Sequence, residues 1–337
     1  MKPNRVYTIK QREMSKFFWL LGIILVTMSC GKDIDVFIPR ANQIVVGDIS
    51  RLRARLAEDI KGDITHTIQV PCNGNQFFQV DKDLVLVIPA DFVNLSEYPC
   101  TNGHFDVEVT VCDSKGEMLI SGIPTISEGR LLESRMEFNI RVKDGSTPVR
   151  LAHGKKIRAL INDPDPRERM ELFYGNNDNS EWLQADADLS TWSNVENSEW
   201  WLQDSTQQIA GFGYECFSDS LDWINVDVFF EIPEDQRTDV CVELPKEFTN
   251  TNTQVFMVFD DYKSLVVLEG NADLELFCEH YGSTPKGFNV TFIVLSEMGE
   301  DSYLFDSYST TISENHVQVL KPVHTPYGEI KKFLETL

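Results

Sequence analysis

The 337-residue sequence contains no HExxH, no GxSxG, no phosphate-cradling G-x-x-x-x-G-K and no dinucleotide-binding glycine fingerprint. It lacks the local chemistry of zinc hydrolases, serine hydrolases and nucleotide-dependent enzymes. No Cys-x-x-Cys pair occurs, which argues against a zinc ribbon or a thioredoxin-like redox site. Acids are too numerous, 53 in all, for any two to be singled out as a glycosidase pair. Bases are scarce. Between Arg169 and Arg237 there is neither lysine nor arginine, while fifteen Asp and Glu fall in that interval. A formal net charge of −23 repels phosphate backbones, so nucleic acid is not an expected partner. The acidic stretch reads as a solvated face, with weak cation binding as the functional alternative. Long apolar runs are missing near the N-terminus too. FFWLLGIILVTM (17–28) has twelve residues, where a bilayer-spanning helix needs about 20.

That run follows Lys2, Arg5, Lys10, Arg12 and Lys16 and precedes Ser29-Cys30. A basic stretch, a short apolar stretch and a small residue, in that order, make a secretory leader. TMSC resembles the lipobox of bacterial lipoproteins, with Thr27 in place of the usual Leu or Val. The resemblance implies cleavage before Cys30 and lipidation of its thiol. Gly31 stands where an Asp is associated with inner-membrane retention, and GKDID is similar to the export tags of surface lipoproteins. The expected location is the bacterial outer membrane, lipid-anchored and surface-exposed; plain secretion is the alternative. Removal of residues 1–29 takes away five bases and one acid, which moves the charge from −23 to −27.

Six more cysteines follow: Cys72, Cys100, Cys112, Cys216, Cys241 and Cys278. Export permits disulfides, and six cysteines allow 15 pairings. Cys72 and Cys100 each follow a proline in turn-like sequence flanking a strand, and form the best-placed pair. On a strand, Cys278 and His280 share a face with Leu274 and Leu276, which reads as a buried structural pair rather than a nucleophile and base. NDPDP (162–166) and GNNDNSE (175–181) hold oxygen ligands, but not in the register that makes six to eight converge on calcium. They read as turns. No catalytic residue, metal or cofactor is expected, and a non-enzymatic role follows.

Only residues 48–62 carry convincing helical spacing, with Ile49, Leu52, Leu56 and Ile60 on one face, Asp48 or Ser50 as cap and Gly62 at the end. A short C-terminal turn is possible at 329–334. From Thr65 the period is two. In FDVEVTVCD, Phe105, Val107, Val109 and Val111 share one face; MEFNIRVK repeats the pattern with Met136, Phe138, Ile140 and Val142. Short strands without intervening helices mean sandwiches or barrels, and a sandwich uses roughly 100 residues. LVIPADF (86–92) is echoed by VELPKEF (242–248): a strand ends at Pro, and a Phe three residues later can fold back onto the core. The expected fold is all-β, with two tandem antiparallel β-sandwiches after a short N-terminal helical segment. The expected boundaries are a leader at 1–29, an anchor-proximal segment at 30–64, sandwiches at 65–176 and 209–325 joined by a connection at 177–208, and a tail at 326–337.

VIPADF, FDVEVTV, SGIPTISEGRLLESRMEFNI, RLAHGKKIRALI and MELFYG, with the later LDWINVDVF, DVCVELPKEF and NTQVFMVF, resemble a family of Bacteroidetes lipoproteins. That family has tandem ZU5-like/immunoglobulin-like β-sandwich domains. The resemblance spans roughly residues 66–320; Arg135-Met136 departs from the family's glycines after LLES. It implies architecture and location, and no catalytic residues.

NSEWLQ (179–184) and NSEWWLQ (197–203) are near-copies, and with Trp192 between them they gather Trp182, Trp192, Trp200 and Trp201. One reading packs the indoles in the joint between two sandwiches, with Trp192 the exposed exception. The other stacks exposed rings on pyranose faces while Asn, Asp and Gln hydrogen-bond sugar hydroxyls. Position at the domain junction favours the joint. The chain is therefore expected to be a surface-exposed lipoprotein binding a protein or glycan partner, with glycan capture by the Trp-rich segment as the alternative function. Cys30→Ser should abolish palmitate labelling and release the protein from membranes. A Ser variant that stays membrane-bound, beside a native protein that takes up no lipid, would refute the anchor.

Overall fold

Alternation of apolar and polar residues sets the architecture from Thr65 onward. The computed structural model describes residues 47–175, 181–185, 195–271 and 273–337. The leader, Cys30 and Trp192 lie outside the described residues. In chain order the first thirteen strands are β1 (Thr65–Pro71), β2 (Gln76–Gln79), β3 (Leu84–Ile88), β4 (His104–Cys112), β5 (Ile126–Ser127), β6 (Arg130–Asp144), β7 (Thr147–Val149), β8 (Ile157–Asn162), β9 (Glu171–Gly175), β10 (Trp182–Gln184), β11 (Val195–Gln203), β12 (Gln208–Ser218) and β13 (Asp222–Phe229). They make two sheets. The front sheet runs β1-β4-β6-β13-β9-β10, with β5 and β7 also on β6; the back sheet runs β11-β12-β8-β3-β2. Phe105, Val107 and Val109 of β4 and Phe138 and Ile140 of β6 pack against Leu84, Leu86 and Ile88 of β3 and Ile157, Ala159 and Ile161 of β8. These are the alternate residues that the period-two pattern marks as inward.

Residues 195–229 close this first sandwich. β13 inserts between β6 and β9, and β12 pairs with β8 from Gly213 to Ser218. The sheets therefore do not part at residue 208, where the sequence pattern put the second sandwich; the chain leaves the first one after Phe229. Strand style cannot reveal this, because an inserted partner strand reads like any other.

The remaining strands are β14 (Val240–Glu243), β15 (Thr253–Phe259), β16 (Leu265–Asn271), β17 (Leu276–Cys278), β18 (Asn289–Glu297), β19 (Tyr303–Thr311), β20 (His316–Val319) and β21 (Val323–His324). They follow the order β20-β14-β17-β16-β15-β18-β19-β21, antiparallel except for β14 with β20. Val240, Val242, Val255, Met257, Val266, Val290, Phe292 and Val294 form the second core. The echoed VIPADF and VELPKEF segments turn alike. Phe92 N–H donates to Pro89 O at 3.2 Å and Phe248 N–H to Pro245 O at 3.1 Å, and each ring is buried in its own core.

Three helices join the two cores: α1 (Ile49–Ile64), α2 (Lys115–Ser121) and α3 (Tyr327–Leu334). Asp48 caps α1 by accepting Ser50 N–H at 3.0 Å, and the helix passes Gly62 to run straight into β1. Its buried Leu52, Leu56 and Ile60 pack with Met118 and Leu119 of α2, Ile330 and Leu334 of α3, and Phe256, Val258, Ile293 and Leu295 of the second sandwich. At Gly116 the backbone of α2 approaches so closely that an added Cβ would lie 2.0 Å from Leu334 O. Only glycine fits there. Lys115 Nζ donates to Phe259 O and Asp260 O at 2.7 and 2.8 Å, and Thr125 N–H donates to Leu265 O at 2.9 Å. Both contacts tie the first sandwich's chain to the second, and Val45–Leu337 forms one compact unit.

Candidate functional site

The tryptophans separate into different environments. Trp182, on the edge strand β10, is 0% exposed and packs with Ile123, Leu132 and Phe173 on the outer side of the front sheet. Trp200 is 5% exposed, while its neighbour Trp201 is 66% exposed. Trp200 packs with Leu202, Ile209, Phe77, Val85 and Leu160 on the outer face of the back sheet. Neither Trp200 nor Trp201 lies in the joint, which corrects the expectation from sequence position. The joint is helical. Of the segment read as a crossing between sandwiches, β10 edges the front sheet and β11 forms a hairpin with β12 in the back sheet, both in the first sandwich.

That hairpin explains the pattern. β12 pairs with β8 only over Gly213–Ser218, and Phe212 O still accepts Asp163 N–H at 2.8 Å, so residues 200–211 continue as a two-stranded ribbon beyond the sheet's ladder. A two-stranded ribbon is marginal alone and needs a surface to pack on. It folds across the back sheet as far as β2, where Gln207 Nε2 donates to Phe77 O at 3.0 Å. Trp200 faces Gly211 across the ribbon, and a Cβ at 211 would sit 2.6 Å from the indole. The ring lies on the bare glycine backbone. At the tip, the Asp204 carboxylate accepts Thr206 N–H at 2.6 Å, Thr206 Oγ1–H at 2.7 Å and Gln207 N–H at 2.9 Å. Hydrogen bonds from Thr206, then from Gln207, hold its carboxyl below the usual range.

With one face pinned, the other is presented to solvent. It carries Glu199, Trp201, Gln203, Gln208, Ala210 and Phe212, all exposed. Trp201 stands opposite Ala210 and Phe212 opposite Glu199, so the two rings are diagonal neighbours. Phe212 is 40% exposed. The alternation along NSEWWLQ is legible here: Trp200 and Leu202 point down, and Trp201 with Glu199 and Gln203 point up.

A second constellation lies on the outer face of the front sheet, where the sequence showed only polar alternation. Cys112, Glu137 and Asn225 stand side by side across β4, β6 and β13, with Asp227 opposite Ser134. All five are buried. Ser134 Oγ–H donates to Asn225 Oδ1 at 2.7 Å, and Asn225 Nδ2 donates to Asp227 Oδ2 at 2.6 Å. Neither carboxyl oxygen of Glu137 has a partner. Desolvation, then the nearby Asp227, pushes the Glu137 carboxyl well above the usual range; desolvation does the same to Asp227. Burial, then Glu137, raises the Cys112 thiol well above its usual value, so it is no nucleophile.

Cys72 and Cys100 are disulfide-bonded, with Cα atoms 6.2 Å apart, and Cys241 is bonded to Cys278 with Cα atoms 4.1 Å apart. Cys278 is buried and structural, as expected, but its partner is Cys241; His280 is exposed, which corrects the reading of those two as a buried pair. Cys241 and Cys278 face each other on β14 and β17, a pairing that spacing alone cannot reveal. Cys216 is free and buried like Cys112. In NDPDP, Asp163 accepts Arg135 Nε–H at 2.7 Å and Asp165 N–H at 3.0 Å, as a turn does. Residues 176–180 of GNNDNSE lie outside the described residues. Among the described residues, no group of three His, Cys, Asp or Glu is placed to hold a metal ion.

A carboxyl whose folded-state pKa is raised favours the folded state while protonated. Its contribution is present below the unfolded value of about 4.3 and is lost as pH rises toward the folded value. Stability should therefore fall between about pH 5 and about pH 8, and Glu137→Gln should flatten that fall. Urea midpoints at the two pH values check this; parallel curves for wild type and variant would contradict it.

No protein-family model matches the chain, and no curated protein matches it.

Proposed function

We propose that this chain is an exported, lipid-anchored binding protein of the bacterial outer membrane that works by recognition rather than catalysis, with carbohydrate as the ligand class. The observation that carries the reading is Trp201, 66% exposed on a ribbon whose opposite face is sealed by Trp200. A large exposed indole on a pinned backbone gives contact area at little entropic cost on binding. Phe212 extends the apolar surface diagonally, and Gln203 and Gln208, paired across the ribbon, supply amide donors and acceptors at its end. An aromatic face for a pyranose ring, beside neutral hydrogen-bonding groups for its hydroxyls, suits an uncharged glycan. The acidic surroundings suit an anionic one poorly. The leader and TMSC support the anchor; they are sequence signals.

A panel of soluble neutral polysaccharides should include at least one that quenches tryptophan fluorescence saturably. Trp201→Ala should weaken that binding by about tenfold, the equivalent of roughly 1.4 kcal/mol, and leave the melting temperature unchanged. Saturable binding that survives in the Trp201→Ala variant, or no quenching by any glycan, would overturn the reading.

A further inference from the structure

The outer face of the front sheet is covered by α1 and α2, but the cover is incomplete. A cleft of about 410 Å³ remains between α1 and the strands β1, β4, β6 and β13. That volume is within the range of roughly 300–1,000 Å³ typical of small-molecule sites. The space exists because α1 turns Leu52, Leu56 and Ile60 into the shared helical core and presents Ala54 and Ala57 to the cleft. On its floor, Thr110, Asn139 and Trp223 lie in one row across three strands.

Asn139 is the second observation. It is 4% exposed, it lines the cleft, and its amide nitrogen has no hydrogen-bond partner. A buried amide left unpartnered costs roughly 1–3 kcal/mol, so such a group marks a place where a partner atom belongs. The charge at the mouth is the third. Among the lining residues, Lys61, Arg141 and Lys143 meet Glu58 and Glu108; a third acid, Asp106, stands opposite Lys143 beside His104. Lys143 holds Glu108 at 2.5 Å, while Lys61 and Arg141 form no ion pair among the described residues. In a chain of net charge −23, this surplus of cations among the lining residues runs against the background. Behind the floor, burial and then the nearby Asp227 push the Glu137 carboxyl well above the usual range.

We propose that this cleft binds a small hydroxycarboxylate. Its carboxylate meets Arg141 and Lys61 at the mouth, a hydroxyl or ring oxygen accepts from the Asn139 amide, and its carbon skeleton lies against Trp223 and the Ala54–Ala57 side of α1. The same chemistry is offered by a free hydroxy acid and by a uronic acid residue of a polymer. The site is separate from the Trp201 ribbon and does not depend on the ribbon's role.

The test is a titration followed by 1H–15N correlation spectra of the intact chain, with D-glucuronate, D-glucose and a glucuronate-containing oligosaccharide as probes. Glucuronate should produce saturable shifts at Asn139, Arg141 and Lys61, and glucose none. Arg141→Met should weaken glucuronate binding by about tenfold, the loss of one charge-assisted contact, without unfolding an exposed position. Ala57→Leu, which fills the cleft and leaves its charges in place, should abolish it. Trp201→Ala should leave it unchanged. Tighter binding of the oligosaccharide than of the monomer identifies a polymer-borne acid; tighter binding of the monomer identifies a free one. Absence of saturable shifts with both acids, equal response to glucose, or undiminished binding by the Arg141→Met and Ala57→Leu variants would overturn the proposal.

Discussion

Burial of one helical layer against two sheets of different sandwiches is the constraint on which the rest of the molecule depends. Leu52, Leu56, Ile60, Met118, Leu119, Ile330 and Leu334 are removed from water only while both sandwiches are in place. Each such side chain contributes about 1.5–3 kcal/mol through apolar burial. Their sum is comparable with the whole net stability of an ordinary domain. Neither sandwich could expose that layer cheaply. The helices come from three distant points of the sequence, before β1, after β4 and after β21, so the layer also fastens the chain's two described ends to its middle.

Both candidate recognition surfaces are products of how sheets are finished. The back sheet ends in a hairpin longer than its neighbour strand, and the surplus length is folded down by Trp200, Leu202 and Ile209. Folding it down buries one side and necessarily displays Trp201 and Phe212 on the other. The front sheet is finished by helices whose apolar side is committed to the joint. Small residues on the remaining side of α1 leave a cleft over a polar strand face.

Strand periodicity made the all-β class legible, and the inward faces of β4 and β6 are those that alternation marks. The spacing of Ile49, Leu52, Leu56 and Ile60 likewise points to the residues that α1 buries. Within NSEWWLQ, the split between Trp200 and Trp201 was legible for the same reason. What each face meets was not. Whether Trp200 packs against a second sandwich or its own sheet depends on where β12 leaves β8, and hydrogen-bond register is a long-range property. The insertion of β13 between β6 and β9, the Cys241–Cys278 bond and the burial of Glu137 share this character. A glutamate in an alternating strand reads as solvent-facing until a helix from elsewhere covers it.

The claim that the shared helical layer makes one structure of two sandwiches is tested most directly by differential scanning calorimetry of the chain from Val45 to Leu337. One transition, with calorimetric and van't Hoff enthalpies equal, is the predicted result. Two resolved transitions, each retaining the heat of a separate sandwich, would contradict it.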